Sequence, residues 1–408
     1  FFHGLLILMT TLSLNVLSEG LTDSLASPKI KKRVNVQADE ESMSGAGTAA
    51  GIAAAHVAQA DTLQQRLGSL RAAELARNDR LVLSDADAAA APLLEVRNLS
   101  ISFPNAHGDV EIVDNVSFEV RPGETMGLVG ESGCGKSITS MAIMGLLPPT
   151  AKLTGEILFN GVDLLELSPK EHNALRGHEI AMIYQDALSS LNPSMLISAQ
   201  FKQLTSRGGQ RTAQELLELV GLDPDRTLKS YPHELSGGQR QRVLIAMALT
   251  RNPKLVIADE PTTALDVTVQ KQVVDLLNEL RTKLGFAMVF VSHDLALVAS
   301  VAHRITVMYA GQVVETGPTL ELLTDPRHEY TRGLLGAVLS IESGSGRLHQ
   351  VPGVVPSPRE FVKGDRFAPR SSHPTVGLDV RPEMVAVSET GHRYAAHPDS
   401  AYTEEAQR

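Results

Sequence analysis

The sequence has one cysteine, Cys134, no tryptophan, and only 4 % aromatic residues among its 408 residues. A single cysteine excludes an intrachain disulfide, and nothing in the cysteine usage indicates an oxidising compartment. The scarcity of aromatic residues argues against the aromatic belts of a membrane-spanning protein. The net charge of −10 gives no overall attraction to nucleic acid or anionic lipid, although a local basic patch stays open.

Long apolar runs are scarce too, because the one candidate is the opening FFHGLLILMTTLSLNVL (residues 1–17). It resembles the apolar part of a signal peptide, but it lacks a preceding basic region and a small-residue cleavage site. It is also short and mixed for a membrane span. We favour a fragment edge, an upstream-start artefact or a cloning remnant, with Met43 as an alternative start. Any membrane role is therefore expected to come through a partner.

Residues 1–92 predict a low-complexity, poorly ordered N-terminal extension, because Ala, Ser, Gly and charged residues dominate it. Within it, Leu63, Leu67 and Leu70 are spaced for one short amphipathic helix. Regular patterns begin at residue 93 and dissolve after about residue 340. No internal repeat is visible, so one folded domain is expected over residues 93–340, followed by an extension over 341–408.

Strand and helix patterns alternate within that domain. Apolar stretches at 93–103, 116–120, 125–130, 255–259 and 286–292 predict strands, and residues 198–229 predict helix. VVDLLNELRTKLG (273–285) predicts an amphipathic helix that ends at Gly285, and residues 305–317 predict a hairpin turning at Ala310-Gly311. Alternating strands and helices indicate an α/β fold with a mainly parallel sheet.

A phosphate-binding loop is predicted at GESGCGKS (130–137), which matches G-x-x-x-x-G-K-[ST] between a strand and a helix. Its glycines let backbone N–H groups approach phosphate oxygens, and the helix N-terminus adds partial positive charge. We expect Lys136 to contact the β- and γ-phosphates and Ser137 to bind Mg²⁺. The nucleotide-binding residues are Gly130, Glu131, Ser132, Gly133, Cys134, Gly135, Lys136 and Ser137.

Two carboxylates follow the apolar strand of LVIADEP (255–261). Asp259 is suited to hold Mg²⁺, and Glu260 is placed to orient or deprotonate an attacking water. Asp-Glu after a strand is often just a solvated loop. The phosphate-binding loop in the same chain favours the catalytic interpretation.

These motifs, together with Gln185 in MIYQD, LSGGQ (235–239), ALD (264–266) and His293 in VSHD, resemble the ATP-binding-cassette (ABC) ATPases in identity and order. The resemblance covers about residues 93–340. It implies a P-loop NTPase-type sheet with an antiparallel β subdomain and a helical subdomain at about 186–245. It also implies ATP and Mg²⁺ as ligands.

The resemblance assigns LSGGQ to the nucleotide of another subunit, because the signature of one cassette closes over the P-loop of its partner. It implies a dimer that sandwiches two ATP molecules, with a second ATPase chain that is identical or different. A helix that begins at glycine offers N–H groups and its dipole to an anion. The signature residues are Leu235, Ser236, Gly237, Gly238 and Gln239.

Four further roles follow from the resemblance. Gln185 would contact Mg²⁺ and the attacking water, and its loop would couple to a membrane partner. His293 would contact the γ-phosphate in a positioning role, and Asp266 would bridge to the opposite subunit. Phe103 stands where the family often stacks an aromatic ring on adenine, and a plain core role is an equal alternative.

The residues around these motifs resemble those of the ATPases of dipeptide, oligopeptide and nickel importers. Examples are the stretches YPHELSGGQRQRVLIAMAL and PRHEYTRGLL. This resemblance implies two permease subunits as direct partners and an extracytoplasmic solute-binding protein as an indirect partner, with no nucleic acid as a partner. It also implies that the chain lies at the cytoplasmic face of the cell membrane. The cargo stays open between peptides, nickel and another small solute. A soluble, non-transport ABC ATPase is the remaining alternative, although such proteins usually carry two cassettes or a long coiled coil.

The C-terminal extension resembles that of the same group, in which many members have cysteines suited to an iron–sulfur cluster. The matching positions here are Asp365, Ser371, Leu378 and Ala396, so no such cluster is expected. Three histidines of this extension could bind a metal, but surface side chains in a loose tail are favoured: His373, His392 and His397.

Cys134 lies inside the phosphate-binding loop, beside Lys136 and a helix N-terminus. Such surroundings lower a thiol pKa. We therefore hypothesise that thiol alkylation blocks ATP hydrolysis and that ATP protects against it. The alternative is that Cys134 is merely a small residue that fits.

Overall fold

A computed structural model of the chain describes residues 49–77, 80–209, 211–263, 265–342, 351 and 353–396. The chain divides into two units, Phe1–Asp61 and Thr62–Arg408. The apolar start, Met43, Ala264 of ALD and His397 lie outside the described residues.

The strands alternate with helices along the chain, as the sequence predicts. The strands are β1 Leu94–Ser102, β2 Glu111–Val120, β3 Thr125–Val129, β4 Lys152–Phe159, β5 Val162–Asp163, β6 Ile180–Ile183, β7 Leu255–Asp259, β8 Ala287–Ser292, β9 Arg304–Tyr309, β10 Gln312–Pro318, β11 Glu383–Ala386 and β12 Arg393–Ala396. The helices are α1 Ala49–Ala76, α2 Asp85–Ala89, α3 Pro104–His107, α4 Lys136–Ile143, α5 Pro169–Leu175, α6 Ala187–Ser190, α7 Ile197–Thr205, α8 Ala213–Leu219, α9 Pro224–Thr227, α10 Gly237–Ala248, α11 Val267–Leu284, α12 Leu295–Ala299, α13 Thr319–Thr324 and α14 Glu329–Glu342.

The larger sheet has the order β11-β12-β10-β9-β3-β8-β7-β6. Its strands β9, β3, β8, β7 and β6 are parallel, and β10, β12 and β11 pair antiparallel at one edge. A smaller antiparallel sheet has the order β2-β1-β4-β5. The predicted α/β fold with a mainly parallel sheet and an antiparallel β subdomain is confirmed.

The parallel strands are buried on both faces, which explains their nearly continuous apolar sequences. Alternate residues of β7 enter different cores because side chains alternate across a strand. Val256 and Ala258 pack with the helical side, and Leu255 and Ile257 pack with the antiparallel sheet. The two packed layers therefore fix the order and position of the carboxyl ends of the parallel strands.

Local sequence signals set several of the element ends. The helix predicted for 273–285 is α11, which ends as expected at Gly285 with φ 76°. The hairpin of β9 and β10 turns at Ala310 and Gly311, both with positive φ. The region predicted to be helical over 198–229 contains three short helices, α7, α8 and α9. The N-caps Thr212 and Asp223 begin α8 and α9 as separate helices.

Residues 49–76 form helix α1, and residues 85–89 form helix α2. Helix α1 contains the predicted leucines but is much longer than the short helix that they predict. Leu67 and Leu70 pack against the helical-side core. Among the described residues, no helix is both long and apolar enough to cross a membrane.

The described part of the C-terminal extension, residues 353–396, packs on the domain and belongs to the same unit. Strand β12 pairs with β10, which carries the large sheet into residues that the sequence assigns to a separate tail. A buried polar cluster anchors it to β2: Asp114 accepts a hydrogen bond from Gln312 at 2.8 Å and pairs with Arg366 at 3.3 Å. Arg381 bonds both the carboxylate and the backbone oxygen of Asp114.

Replacing Asp114 by alanine is expected to lower the free energy of unfolding by about 3 to 5 kcal/mol, because a buried guanidinium loses its partner. Burial alone would raise the pKa of Asp114, but Gln312, Arg381 and Arg366 hold that pKa below its ordinary value. Its contribution is therefore full above a pH of about 4 and is lost as the pH falls through the lower folded-state pKa. Urea unfolding at several pH values measures both effects.

The control for this prediction is Arg97→Gln, which breaks an exposed ion-pair network with Glu95 and Glu156. Such exposed pairs contribute little, so no measurable loss of stability is expected. Equal losses in the Asp114 and Arg97 variants would show that the buried cluster does not anchor the extension.

Candidate active site

The candidate site lies at the carboxyl ends of four neighbouring parallel strands. The phosphate-binding loop follows β3, His293 follows β8, Glu260 follows β7 and Gln185 follows β6. Because adjacent parallel strands end at the same edge of a sheet, their succeeding loops meet there. Four motifs that are far apart in sequence are thus brought together.

Two glycines of the phosphate-binding loop, Gly130 and Gly135, stand where neighbouring atoms leave little room for a Cβ atom. A Cβ atom on Gly130 would lie 2.1 Å from the backbone oxygen of Met308. Gly135 caps α4 in the left-handed region with φ 87°, and a Cβ there would lie 3.0 Å from Val113. Ser132 and Gly133 are exposed at the tip of the loop. The loop therefore brings bare backbone to the N-terminus of α4, a geometry that favours anions.

Lys136 extends back along the loop that precedes it. Its Nζ donates to the backbone oxygens of Gly130 at 2.6 Å and Glu131 at 3.0 Å. The residue is only 4 % exposed, and burial lowers the pKa of its ammonium group. The side chain is thereby held against the loop that the sequence predicts to bind phosphate.

Ser137 and Asp259 form the candidate cation site. The Ser137 hydroxyl donates to Asp259 Oδ1 at 3.0 Å, and burial raises the pKa of Asp259. A hydroxyl beside a carboxylate is an oxygen donor set that fits Mg²⁺, which takes few protein ligands and completes its shell with water and phosphate. Among the residues that the structure describes, no group of three or more His, Cys, Asp or Glu side chains could hold a metal by itself.

Glu260 is the centre of a polar cluster. Its Oε2 accepts hydrogen bonds from Gln185 Nε2 at 3.2 Å and from Thr263 Oγ1 at 2.9 Å, and it lies 3.5 Å from His293 Nδ1. Glu260 has φ 45°, a strained backbone for a residue with a side chain. The structure thus brings together the three predicted catalytic residues, and Gln185 contacts Glu260 in addition to its predicted roles.

Thr263 is a site residue that the sequence analysis missed. It stands in the run PTTALD, where two consecutive threonines gave no periodic signal. Its hydroxyl helps to fix the orientation of the Glu260 carboxylate. The available signal was a hydroxyl residue three positions after the candidate base.

The signature stretch begins helix α10 with a capping box. Gln239 N donates to Ser236 Oγ at 3.2 Å, and Ser236 N donates to Gln239 Oε1 at 2.9 Å. The serine hydroxyl is therefore already used within its own helix, which the sequence analysis did not foresee. Ser236 is nevertheless exposed at the helix N-terminus, while Leu235 is buried.

The glycines of the signature have a packing role besides any role in binding. A Cβ on Gly238 would lie 2.7 Å from Val269 Cγ1 of α11, and one on Gly237 would lie 3.3 Å from Leu265. Asp266 caps α11 by accepting from Val269 N at 3.0 Å. The signature and the residues Leu265 and Asp266 therefore lie side by side at the starts of two packed helices.

Phe103 lies at the end of β1 and precedes α3. Its side chain is half-buried and packs against the core beneath the antiparallel sheet. The core role is thus supported, and its contact with adenine stays a prediction.

Cys134 corrects one expectation. The thiol is fully buried, and burial raises its pKa, where the neighbouring Lys136 had led us to expect a lowered pKa. The desolvation of a thiolate outweighs the nearby positive charge. The alternative that Cys134 is a small residue that fits the core is therefore favoured.

Iodoacetamide is accordingly expected to alkylate Cys134 in the native chain roughly 100-fold more slowly than in the chain unfolded by urea, because reaction requires local opening. Mass spectrometry of timed samples measures both rates, and Cys134→Ser provides the unlabelled control. Equal rates in native and unfolded protein would restore the reactive-thiol hypothesis.

The extension contains a second correction. His392 is 1 % exposed, and its Nε2 lies 2.8 Å from Glu315 Oε1, so it is a core residue and not a surface side chain. His373 is half-buried and close to the hydroxyl of Ser372 at 3.0 Å.

The four positions that match cysteines of related extensions have ordinary structural surroundings. Asp365 Oδ1 accepts from Phe367 N, and Ser371 Oγ donates to Ala368 O. Leu378 O accepts from Gly364 N, and Ala396 pairs with β11. Hydrogen bonds and strand pairing, with no thiolate among them, hold this part of the extension.

Two parts of the chain match models of known families. A family model described as ABC transporter matches residues 113–263, and one described as the C-terminal region of oligopeptide/dipeptide transporters matches residues 314–375. A solved structure of cbiO1 from Clostridium perfringens, part of the ABC transporter complex cbiONQ, has a TM-score of 0.50 and 24 % identity. It covers 58 % of this chain and 92 % of its own, and it supports the fold.

Curated relatives match over most of their length. The oligopeptide transport ATP-binding protein OppD of Bacillus subtilis (strain 168) is 48 % identical over 326 residues, which cover 76 % of this chain and 91 % of that protein. The dipeptide transport ATP-binding protein DppD of the same organism is 44 % identical over 297 residues, which cover 70 % of this chain and 89 % of that protein. The resemblance seen in the motifs is confirmed: the chain belongs to the ABC transporter family, as one of its ATP-hydrolysing, ATP-binding proteins with an oligopeptide/dipeptide transporter C-terminal region.

Proposed function

We propose that this chain hydrolyses ATP to drive the uptake of di- or oligopeptides through partner permeases. The observation that carries the proposal is the cluster of Glu260, Gln185 and His293, which follows β7, β6 and β8 at the sheet edge where the phosphate-binding loop follows β3. The peptide class is supported by the names of its relatives OppD and DppD and by the C-terminal region.

Binding of ATP begins at the phosphate-binding loop. Backbone N–H groups of residues 130–137 and the N-terminus of α4 bind the phosphates, and Lys136 adds a full positive charge. Ser137 and Asp259 would hold Mg²⁺, and Gln185 would be a further ligand or a contact to the attacking water. An ion held there would supply positive charge that offsets the negative charge of the phosphates.

Hydrolysis then depends on the Glu260 cluster. Glu260 accepts a proton from the attacking water, whose oxygen bonds to the γ-phosphorus as the bond to the bridging oxygen of ADP breaks. His293 contacts the γ-phosphate and fixes the geometry of attack. Thr263 and Gln185 orient the carboxylate, since both donate hydrogen bonds to the same oxygen, Oε2.

A complete site requires a second ATPase chain in this proposal. The signature Ser236 is exposed at the start of α10, and Val267 is 81 % exposed directly after Asp266. An exposed helix N-terminus beside an exposed apolar residue suits an interface that closes over a partner's ATP. Whether that partner is identical or different is an outcome of the experiment below.

Coupling to permeases is proposed to run through the Gln185 loop. Tyr184, next to Gln185, is 43 % exposed, and Tyr231, shortly before the signature, is 38 % exposed. Closure of the ATPase pair would shift this surface against the permeases at the cytoplasmic face of the membrane. An extracytoplasmic binding protein would deliver the cargo on the other side.

Purification of the tagged full chain from native membranes in mild detergent tests this proposal. Two multi-span permeases with a second cassette ATPase are the expected companions. Uptake of labelled dipeptide, oligopeptide and nickel into vesicles that contain the purified complex then separates the cargo alternatives. A soluble chain that brings down ribosomal or DNA-binding proteins, with no permease, would overturn the importer role and favour the non-transport alternative.

A further inference from the structure

The C-terminal extension makes a direct ionic contact with the phosphate-binding loop of its own chain. Arg370, at the end of the 3₁₀ turn Ala368–Arg370, donates from Nη1 to Glu131 Oε2 at 2.6 Å and from Nη2 to Glu131 Oε1 at 3.3 Å. This two-pronged geometry is the strong form of an arginine–carboxylate pair. The side chain of Arg370 is 6 % exposed and that of Glu131 is 33 % exposed, so the pair is partly shielded from solvent.

Arg370 is held in place by groups other than Glu131. Its Nη2 also donates to the backbone oxygens of Val351 at 3.1 Å and Gly353 at 3.2 Å. Its guanidinium lies 5.4 Å from the ring centroid of Tyr309, whose hydroxyl it contacts at 3.4 Å. The extension therefore fixes the position of the guanidinium, and the guanidinium in turn fixes the carboxylate.

Glu131 is tied to the rest of the loop through its backbone. Its N–H donates to the hydroxyl of Tyr330 at 2.9 Å, and its carbonyl oxygen accepts from Lys136 Nζ at 3.0 Å. Tyr330 packs edge-on against Tyr309 with ring centroids 4.9 Å apart, and Phe367 of the extension packs on both rings. One residue of the loop thus contacts both the phosphate-binding lysine and the extension.

The charge of Glu131 is the reason for this arrangement to matter. A carboxylate in a loop that receives a polyphosphate repels it, and that repulsion grows as solvent is excluded. We infer that Arg370 is a positioning residue for nucleotide binding, which holds the Glu131 carboxylate away from the phosphates and neutralises it, so that the C-terminal extension sets the ATP affinity of its own chain. The inference rests on the proposed function, because it concerns the same ATP site.

Equilibrium binding of ATP to the full chain tests it with three variants and one control. Arg370→Gln is expected to weaken binding about tenfold, because an unpaired carboxylate then faces the phosphates. Glu131→Gln is expected to bind ATP more tightly than wild type, since the negative charge is gone and Arg370 remains. The double variant is expected to bind at least about fivefold more tightly than Arg370→Gln.

The control is Arg381→Gln, which removes another arginine of the extension, one that pairs with Asp114 and not with the phosphate-binding loop. Its ATP affinity should equal that of wild type although its melting temperature falls. The Arg370→Gln defect should also shrink in 1 M salt, because screening weakens a charge effect and does not restore lost packing.

Several results would overturn the inference. They are equal or weaker ATP binding in Glu131→Gln, no rescue in the double variant, or an Arg370→Gln defect that salt does not change. The Glu131→Gln arm decides the matter even if Arg370→Gln fails to fold. Absence of ATP binding by wild type would instead contradict the proposed function, so the two failures are distinguishable.

Discussion

Replacing Glu260 by glutamine is expected to slow ATP hydrolysis by about 100- to 10,000-fold while ATP binding is retained. Glutamine has nearly the same shape and can still accept hydrogen bonds from Thr263 and Gln185, but it is a far poorer proton acceptor than a carboxylate. Phosphate release in steady state measures the loss, and equilibrium binding of ATP measures what is retained. A fall in the turnover number with little change in ATP affinity is the expected signature.

Glu179→Gln is the matched control, because Glu179 pairs with Lys254 outside the cluster and should leave turnover at the wild-type level. If Glu260→Gln kept a third or more of wild-type turnover, the assignment of Glu260 as the proton acceptor would be wrong. Glutamate and glutamine at position 260 both have to adopt the strained φ of this position. Backbone strain therefore does not affect the comparison of wild type with Glu260→Gln.

Replacing Lys136 by alanine is expected to weaken ATP binding by about 10- to 100-fold, because hydrogen bonds to charged groups contribute roughly 1.5 to 3 kcal/mol each. The buried ammonium also contacts the backbone of Gly130 and Glu131, so the loop loses an internal tie as well. Titration with ATP and with ADP measures the loss. A larger effect on ATP than on ADP is expected if Lys136 reaches the γ-phosphate.

Lys254→Ala removes a lysine whose partner, Glu179, lies outside the site, and it should bind ATP as wild type does. Thermal unfolding of both variants separates a binding defect from a folding defect. An Lys136→Ala chain that is stably folded and binds ATP with wild-type affinity would contradict the proposed role of the phosphate-binding loop.

The core of the fold and the catalytic edge were predictable because their signals are local. Strand β7 is entirely apolar until Asp259. The apolar run predicts a buried strand, and the aspartate marks its end. The convergence of Gln185, Glu260 and His293 follows from a parallel sheet, in which each residue comes within two positions of the end of a strand. Motif spacing and strand order together therefore locate the candidate site.

The sequence of the signature stretch also contains a local signal for the start of a helix. Ser236 and Gln239 stand in the spacing of a capping box, which predicts a hydroxyl engaged with its own helix. The close packing of Gly238 against Val269 has no such local signal, because it depends on how α10 and α11 meet.

The contacts of the C-terminal extension could not be predicted from pattern. Arg370 and Glu131 are 239 positions apart, and neither has a periodic or motif signal for the other. The predicted pKa of Cys134 was wrong for a related reason. Its positive neighbours are close in sequence, whereas its complete burial arises from packing among distant strands. Electrostatic expectations drawn from sequence hold only where burial is also known.

The most direct test of the central claim is ATP-driven uptake of a labelled peptide into vesicles that contain the complete complex. With peptide-loaded binding protein present, the wild-type chain is expected to support uptake that requires ATP, and Glu260→Gln is expected to abolish uptake while still binding ATP. Peptide uptake at the wild-type rate in complexes whose every copy of this chain is Glu260→Gln would contradict the claim that hydrolysis at this site drives transport.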